Sequence, residues 1–152
     1  MSSAPATLTN PRAELIARLL RGENRENLTE QEALAMGDTI LNRTGLRGYP
    51  ATPEEVIQQN RNGRYQYSPM NPGSRAYREI MEFGPAHPEW QQYISYAEKI
   101  LDPRRARSQF THYFAGDAPS WASSLEGLTQ IGSHWFGREN RKPKASLKEN
   151  YR

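Results

Sequence analysis

Apolar positions recur at helical spacing through the first hundred residues. Leu15, Ile16, Leu19 and Leu20 form one stripe, because residues three and four apart share a helix face. Asn10-Pro11 predicts where that helix starts, with Asn capping and Pro at the first helical position, and Gly22 predicts its end. A second stripe, Ala33, Met36, Gly37, Ile40 and Leu41, opens on T-E-Q-E (Thr29 to Glu32), a capping-box sequence, and closes at N-R-T-G (Asn42 to Gly45). Thr52-Pro53-Glu54-Glu55 repeats the start signal and predicts a short helix to about Gln59. Residues 60–73 are loop by composition. Helical spacing returns over Ser74–Phe83 and Pro88–Leu101, the latter with Trp90, Ile94, Ala97 and Leu101 on one side.

After Asp102-Pro103 the pattern changes. F-T-H-Y-F (Phe110 to Phe114) and Q-I-G-S-H-W-F (Gln130 to Phe136) are β-prone aromatic runs. Between them, G-D-A-P-S-W-A-S-S-L predicts a turn and at most one helical turn. The predicted fold class is α+β, mainly helical, with a small β element near the C-terminus. No internal repeat or glycine/serine linker divides the chain. We therefore expect a flexible N-terminus over 1–10, one domain over 11–138, and a basic tail over 139–152.

Composition adds a charge asymmetry. The net charge is +3 over 152 residues, from 20 basic and 17 acidic side chains. Six of the basic ones (Arg138, Arg141, Lys142, Lys144, Lys148, Arg152) fall in the last fifteen residues, against Glu139 and Glu149. The body is almost neutral and the tail cationic, which suits a polyanion such as an anionic wall polymer, a membrane surface or nucleic acid. With three Trp, eight Tyr and four Phe the chain has the aromatics of a packed domain. The absence of cysteine excludes disulfides, thiolate metal sites and a cysteine nucleophile. No signal peptide is recognised at the N-terminus, and no apolar run approaches the ~18 residues that span a bilayer.

The candidate chemistry begins in L-I-A-R-L-L-R-G-E-N-R-E-N (Leu15 to Asn27). Glu23 lies three residues after Leu20 and four after Leu19, so one further helical turn would point it with the apolar stripe. A carboxyl group against apolar surface is costly to ionise, and holding its proton is what a general acid at a glycosidic oxygen requires. The neighbouring acids have simpler uses: Glu32 in the capping box, Glu30 at a helix start, Glu26 in a polar turn.

Tyr65, Gln66 and Tyr67 set aromatic faces beside amides in the 60–73 loop, and His112, Tyr113, Trp121, His134 and Trp135 add more near the C-terminus. A saccharide groove uses that mixture, flat faces for pyranose rings and polar groups for hydroxyls. We assign substrate binding to Tyr65, Gln66, Tyr67, His112, Tyr113, Trp121 and Trp135. His87, His112 and His134 have no short ligand spacing and there is no His-Glu-x-x-His, so neither a metal nor another cofactor is expected. His112 and His134 could still meet on paired strands near Asp117. No Gly-x-Ser-x-Gly elbow or phosphate-binding glycine loop is present.

Taken in order, R-G-E-N-R-E-N, I-L-N-R, N-G-R-Y, T-H-Y-F and P-S-W-A-S-S-L…I-G-S-H-W-F-G-R resemble the SleB-type cell wall hydrolases over about Ala13 to Arg138. The resemblance implies a lysozyme-like fold and cleavage of peptidoglycan between N-acetylmuramic acid and N-acetylglucosamine. Better-studied members act as lytic transglycosylases that leave a 1,6-anhydro end. It also implies that Glu23 is the acid, since the first glutamate of the family's Gly-Glu-Ala-Arg-Gly-Glu stretch falls there. The chain departs from that stretch at Arg21, Asn24 and Asn27, and has Asn62-Gly63-Arg64-Tyr65 where the family commonly has Pro-Gly-Gln-Phe.

One catalytic carboxyl group suffices for a transglycosylase; were a second needed, Asp38 or Asp117 would have to supply it. The expected partner is the glycan strand, with a virion partner for the basic tail and no nucleic acid, since the body carries no basic stripe with interleaved stacking residues. The expected setting is a phage lysin, made in the cytoplasm and acting on the wall. Two other readings stand beside this one: a wall amidase or peptidase, and a non-catalytic virion or glycan-binding protein with a degenerate site.

Overall fold

The computed structural model describes residues 10–23 and 28–144. Helix α1 spans Pro11–Glu23, α2 Glu30–Thr44, α3 Pro53–Ile57, α4 Arg75–Glu82 and α5 Trp90–Leu101. The start signals act as read. Asn10 Oδ1 accepts from the Arg12 and Ala13 amides. Thr29 and Glu32 complete a reciprocal capping box on α2, and Thr52 caps α3.

The core forms where α1 packs on α4 and α5 and α2 packs on α3 and α5. Ile16, Leu19 and Leu20 of α1, Met36 and Ile40 of α2, Val56 and Ile57 of α3 and Ile80 of α4 are all buried. Helix α5 corrects the expected stripe. Trp90 and Ala97 are buried, but with Tyr93, Tyr96 and Ile100, while Ile94 and Leu101 are only partly covered. The face is rotated because three aromatic rings, Phe83, Trp90 and Tyr93, pack together at centroid distances of 5.2 and 5.6 Å and fill the space beside α4.

The 60–73 stretch holds more than loop. Asn60–Arg61 (β1) and Arg64–Tyr65 (β2) make a two-stranded hairpin, followed by a 3₁₀ turn at Ser68–Met70. The second sheet has strand order β3-β5-β4, with β3 His112–Ala115, β4 Leu125–Ile131 and β5 His134–Glu139, all antiparallel. The aromatic run 130–136 is thus not one strand. Gly132, at φ 61°, turns the chain between β4 and β5, a conformation open to glycine at little cost. The single helical turn expected before β4 is a 3₁₀ helix, Ser120–Ser124. The domain is α+β and mainly helical.

The first part of the cationic tail is fastened to the body. Leu46 and Pro143 form a β-bridge, the Arg47 amide donates to Lys142 O at 3.0 Å, and the Lys144 amide donates to Gly45 O at 2.8 Å. Arg141 stacks over Tyr49, 4.6 Å from its ring centroid. Positions 145–152, and the N-terminal 1–9, lie outside the described residues.

Candidate active site

Glu23 is the last residue of α1. Gly22, read from sequence as the end of the helix, is inside its final turn, and its role is proximity. A Cβ there would lie 2.7 Å from Pro69 Cβ and 2.8 Å from Ile80 Cγ2. The missing side chain lets α1 rest on the 3₁₀ turn and on α4, and that sets where Glu23 emerges.

The polar side of α2 fixes the opposite wall. Asp38, 1% exposed, is bound by the Arg105 guanidinium and accepts from the Ser108 amide at 3.1 Å and hydroxyl at 2.8 Å. One turn on, Asn42 Nδ2 donates to Ser108 O and Phe110 O, both at 2.8 Å. Arg43 Nε donates to Thr111 O, also at 2.8 Å. These bonds lay the chain entering β3 along α2, and β3 is the edge strand of its sheet.

Between α1 and β3 lies a cleft of about 390 Å³, lined by Glu23, Arg43, Gln66, Tyr67, Ser68 and residues 112–115, with Trp121 and His134. That volume is in the range of small-molecule sites, ~300–1,000 Å³. Six residues assigned from sequence come together here: Glu23, Gln66, Tyr67, His112, Tyr113 and Trp121. Two do not. Tyr65, on β2 and partly packed against the core, borders a separate hollow with Arg61, Asn62, Arg64 and Gln66. Trp135 lies on β5, the middle strand, opposite Phe114; it is 37% exposed and outside the cleft lining.

Glu23 is the single carboxylate among the described residues lining the cleft. Asp38 is consumed in holding the loop, and Asp117 is exposed outside the lining. Glu23 is partly buried and hydrogen-bonds the Tyr113 phenol. That phenol titrates well above its ordinary range, first through burial and then through the negative charge of Glu23. Tyr67 is raised for the same leading reason, with Thr39 beside its hydroxyl at 3.3 Å. Both phenols therefore keep their protons at neutral pH; Tyr113 faces the carboxylate as a donor, while the Tyr67 hydroxyl is paired with Thr39.

Sequence reasoning did not assign Arg43. It is 6% exposed, and its guanidinium carbon sits 5.2 Å from the Tyr67 ring centroid and 5.4 Å from that of Tyr49. The signal was present: Met36, Ile40 and Arg43 follow one helix face, and a cation on an otherwise apolar face is rarely placed there for solubility. Its charge also acts on His112, whose pKa is pushed down to about 4 by burial first and Arg43 second, against a rise from Glu139. His112 is neutral at neutral pH. Trp121 covers this corner, with ring centroids 5.3 Å from His112 and 6.0 Å from Phe114, and keeps 43% of its surface open.

His134 was counted among the aromatic residues but given no role. Its Nδ1 lies 2.7 Å from Glu32 Oε2. Glu32, 2% exposed, thus has a second use besides its cap: the same carboxylate accepts from the Ser133 amide and hydroxyl, both at 3.2 Å. Among the described residues no group of three or more His, Asp or Glu could hold a metal ion. The histidine meeting considered from sequence does not occur across the sheet, since His112 pairs with Gly137 and His134 with Ala115.

No curated protein and no solved structure matches the chain significantly. The family model described as Cell Wall Hydrolase matches residues 27–137, a span that takes in β3, Trp121 and both members of the Glu32–His134 pair and begins just after Glu23. With an acid-bearing, aromatic-walled cleft and a family match over most of its length, the chain belongs to the SleB-type Cell Wall Hydrolase family, whose substrate class is peptidoglycan.

Proposed function

We propose that the enzyme cuts the glycan strand between N-acetylmuramic acid and N-acetylglucosamine as a lytic transglycosylase, with Glu23 as its acid and base. The observation that carries this reading is that, among the described residues, Glu23 is the one carboxylate in the cleft lining. Ordinary glycosidases place two carboxyl groups about 5–9.5 Å apart, one as acid and one as nucleophile or base. A transglycosylase needs one. Protonated Glu23 donates to the glycosidic oxygen as the bond to the muramoyl C1 breaks and oxocarbenium character develops. The resulting carboxylate then takes the proton of the muramoyl 6-hydroxyl, whose oxygen attacks C1. The product is a 1,6-anhydro end, and Glu23 recovers its proton.

The surrounding groups suit that cycle. Tyr113, kept protonated, donates to the carboxylate after its proton has left, and Arg43 adds positive charge to the same cleft. Trp121 offers an open face for a sugar ring, and Gln66 and Ser68 offer hydroxyl-binding groups. Mass spectrometry of digested peptidoglycan tests the reaction type. Anhydro-muropeptides are expected; reducing-end muropeptides would mean hydrolysis, and freed stem peptides would mean an amidase or peptidase.

The setting we propose is a phage lysin, delivered through the inner membrane or carried by the virion. No helix among the described residues is long and apolar enough to cross a membrane, so this part of the chain would reach the wall by another route. Clearing of permeabilised cells by added protein supports the lysin role, and binding to sacculi without clearing contradicts it.

A further inference from the structure

The geometry points to His134 as a hydrogen-bond acceptor for a saccharide hydroxyl in the cleft, its ring nitrogen Nε2 presented there because Glu32 holds the other nitrogen. The inference rests on the glycan-cleaving reading and adds to it a residue that reading does not use.

Both oxygens of Glu32 are engaged. Oε1 accepts from the Thr29 amide at 3.2 Å and hydroxyl at 3.0 Å, and Oε2 from the Ser133 amide and hydroxyl and from His134 Nδ1. Burial pushes this carboxyl up, but the His134, Thr29 and Ser133 bonds outweigh it and hold the group below the usual carboxylate range. An ionised carboxylate only accepts, so Nδ1 carries a proton, and in the neutral imidazole Nε2 is then the lone-pair nitrogen. Among the described residues Nε2 has no hydrogen-bond partner, while the ring lines the cleft beside Tyr113, 6.0 Å away between centroids.

The anchor is built from distant parts of the chain. Glu32 sits at the N-terminus of α2 and His134 begins β5, 102 residues later. Gly132 makes the contact possible, because a Cβ there would collide with the Glu32 carboxyl group. The helix cap, the hairpin turn and the histidine tautomer thus form one unit. Sugar hydroxyls donate readily, and an acceptor fixed in direction discriminates among them better than a free side chain does.

The test uses two replacements on purified peptidoglycan. His134→Asn keeps a donor near Nδ1 for Glu32 and deletes the Nε2 position; His134→Gln reaches toward the Nε2 position and gives up the anchor. We expect His134→Asn to melt near wild type yet lose roughly tenfold or more in kcat/KM, with His134→Gln recovering part of the loss. Nitrogen-15 NMR of the wild-type imidazole, free of any folding defect, should show the Nδ1–H form, with the Nε2 resonance shifting when N-acetylglucosamine tetrasaccharide is added. Wild-type kcat/KM in a folded His134→Asn, an Nε2–H tautomer, or an Nε2 resonance indifferent to saturating sugar overturns the proposal while leaving glycan cleavage intact. A wild type that releases no glycan fragments overturns both.

Discussion

His134 Nδ1 meets Glu32 Oε2 at 2.7 Å, joining the start of the last strand to the cap of α2 across the width of the domain. His134 lines the cleft, and Glu32 serves two elements at once. Replacing Glu32 with Ala removes a helix cap and strands the Ser133 and His134 donors in a buried place. We expect about 3 kcal/mol of destabilisation by denaturant unfolding, against about 1 kcal/mol for Thr29→Ala, which removes only the cap hydroxyl. Equal costs for the two would show that the link to the sheet contributes nothing.

Gly22 gives a prediction about placement. An Ala side chain there must displace Pro69 or Ile80, and overpacking of this kind typically costs about 1–3 kcal/mol. Because Gly22 precedes Glu23 in the last turn of α1, relief of the clash also shifts Glu23, and activity on peptidoglycan should fall further than the stability change alone explains. A Gly22→Ala protein with wild-type melting and turnover contradicts the close-approach account.

Trp121 should separate binding from stability. It stands over His112 and Phe114 at the cleft edge with 43% of its surface open. Trp121→Ala is expected to cost under about 1 kcal/mol in unfolding and to raise KM severalfold, the scale of one lost aromatic face. An unchanged KM would remove Trp121 from the substrate path.

Acid should weaken the fold in a defined window. His112 takes its proton near pH 4 when folded, against 6.5 for the free side chain. Between those values the unfolded chain binds a proton that the folded one refuses, so stability falls as pH drops from 6.5 to about 4, and this group adds nothing below that. Glu32 acts in the same direction in a lower window. Its lowered value means its contribution is fully present above 4.5 and disappears only as pH falls below it. Melting temperature against pH should therefore slope through both windows. His112→Gln should flatten the upper one alone, and an unaltered upper slope would contradict the burial of a neutral ring.

Much of this arrangement was legible locally. The Thr29–Glu32 capping box, the Leu15–Leu20 stripe and the aromatic segment around His112 are written in adjacent residues, and each forms where its pattern indicates, although α1 runs past Gly22 to Glu23. What sequence could not give was contact between distant segments. Trp135 reads like its neighbours because an aromatic run does not say which strand lies at the sheet edge; β3 is that edge beside the cleft, and Trp135 lies one strand in, on β5. Tyr65 lies outside the Glu23 cleft, and it is the hairpin of β1 and β2 that places it. Glu32 looked fully used by its own helix, and nothing local announced a histidine on the last strand. Arg43 alone left a local trace, a charge on a buried face.

The most direct test of the central claim is the rate of glycan-fragment release from purified peptidoglycan by wild type and Glu23→Gln, side by side with their melting curves. Gln keeps the shape of the side chain and removes its proton, so we predict release slowed by at least about a hundredfold with melting nearly unchanged. A Glu23→Gln protein that still releases fragments near the wild-type rate contradicts the assignment of Glu23 as the acid.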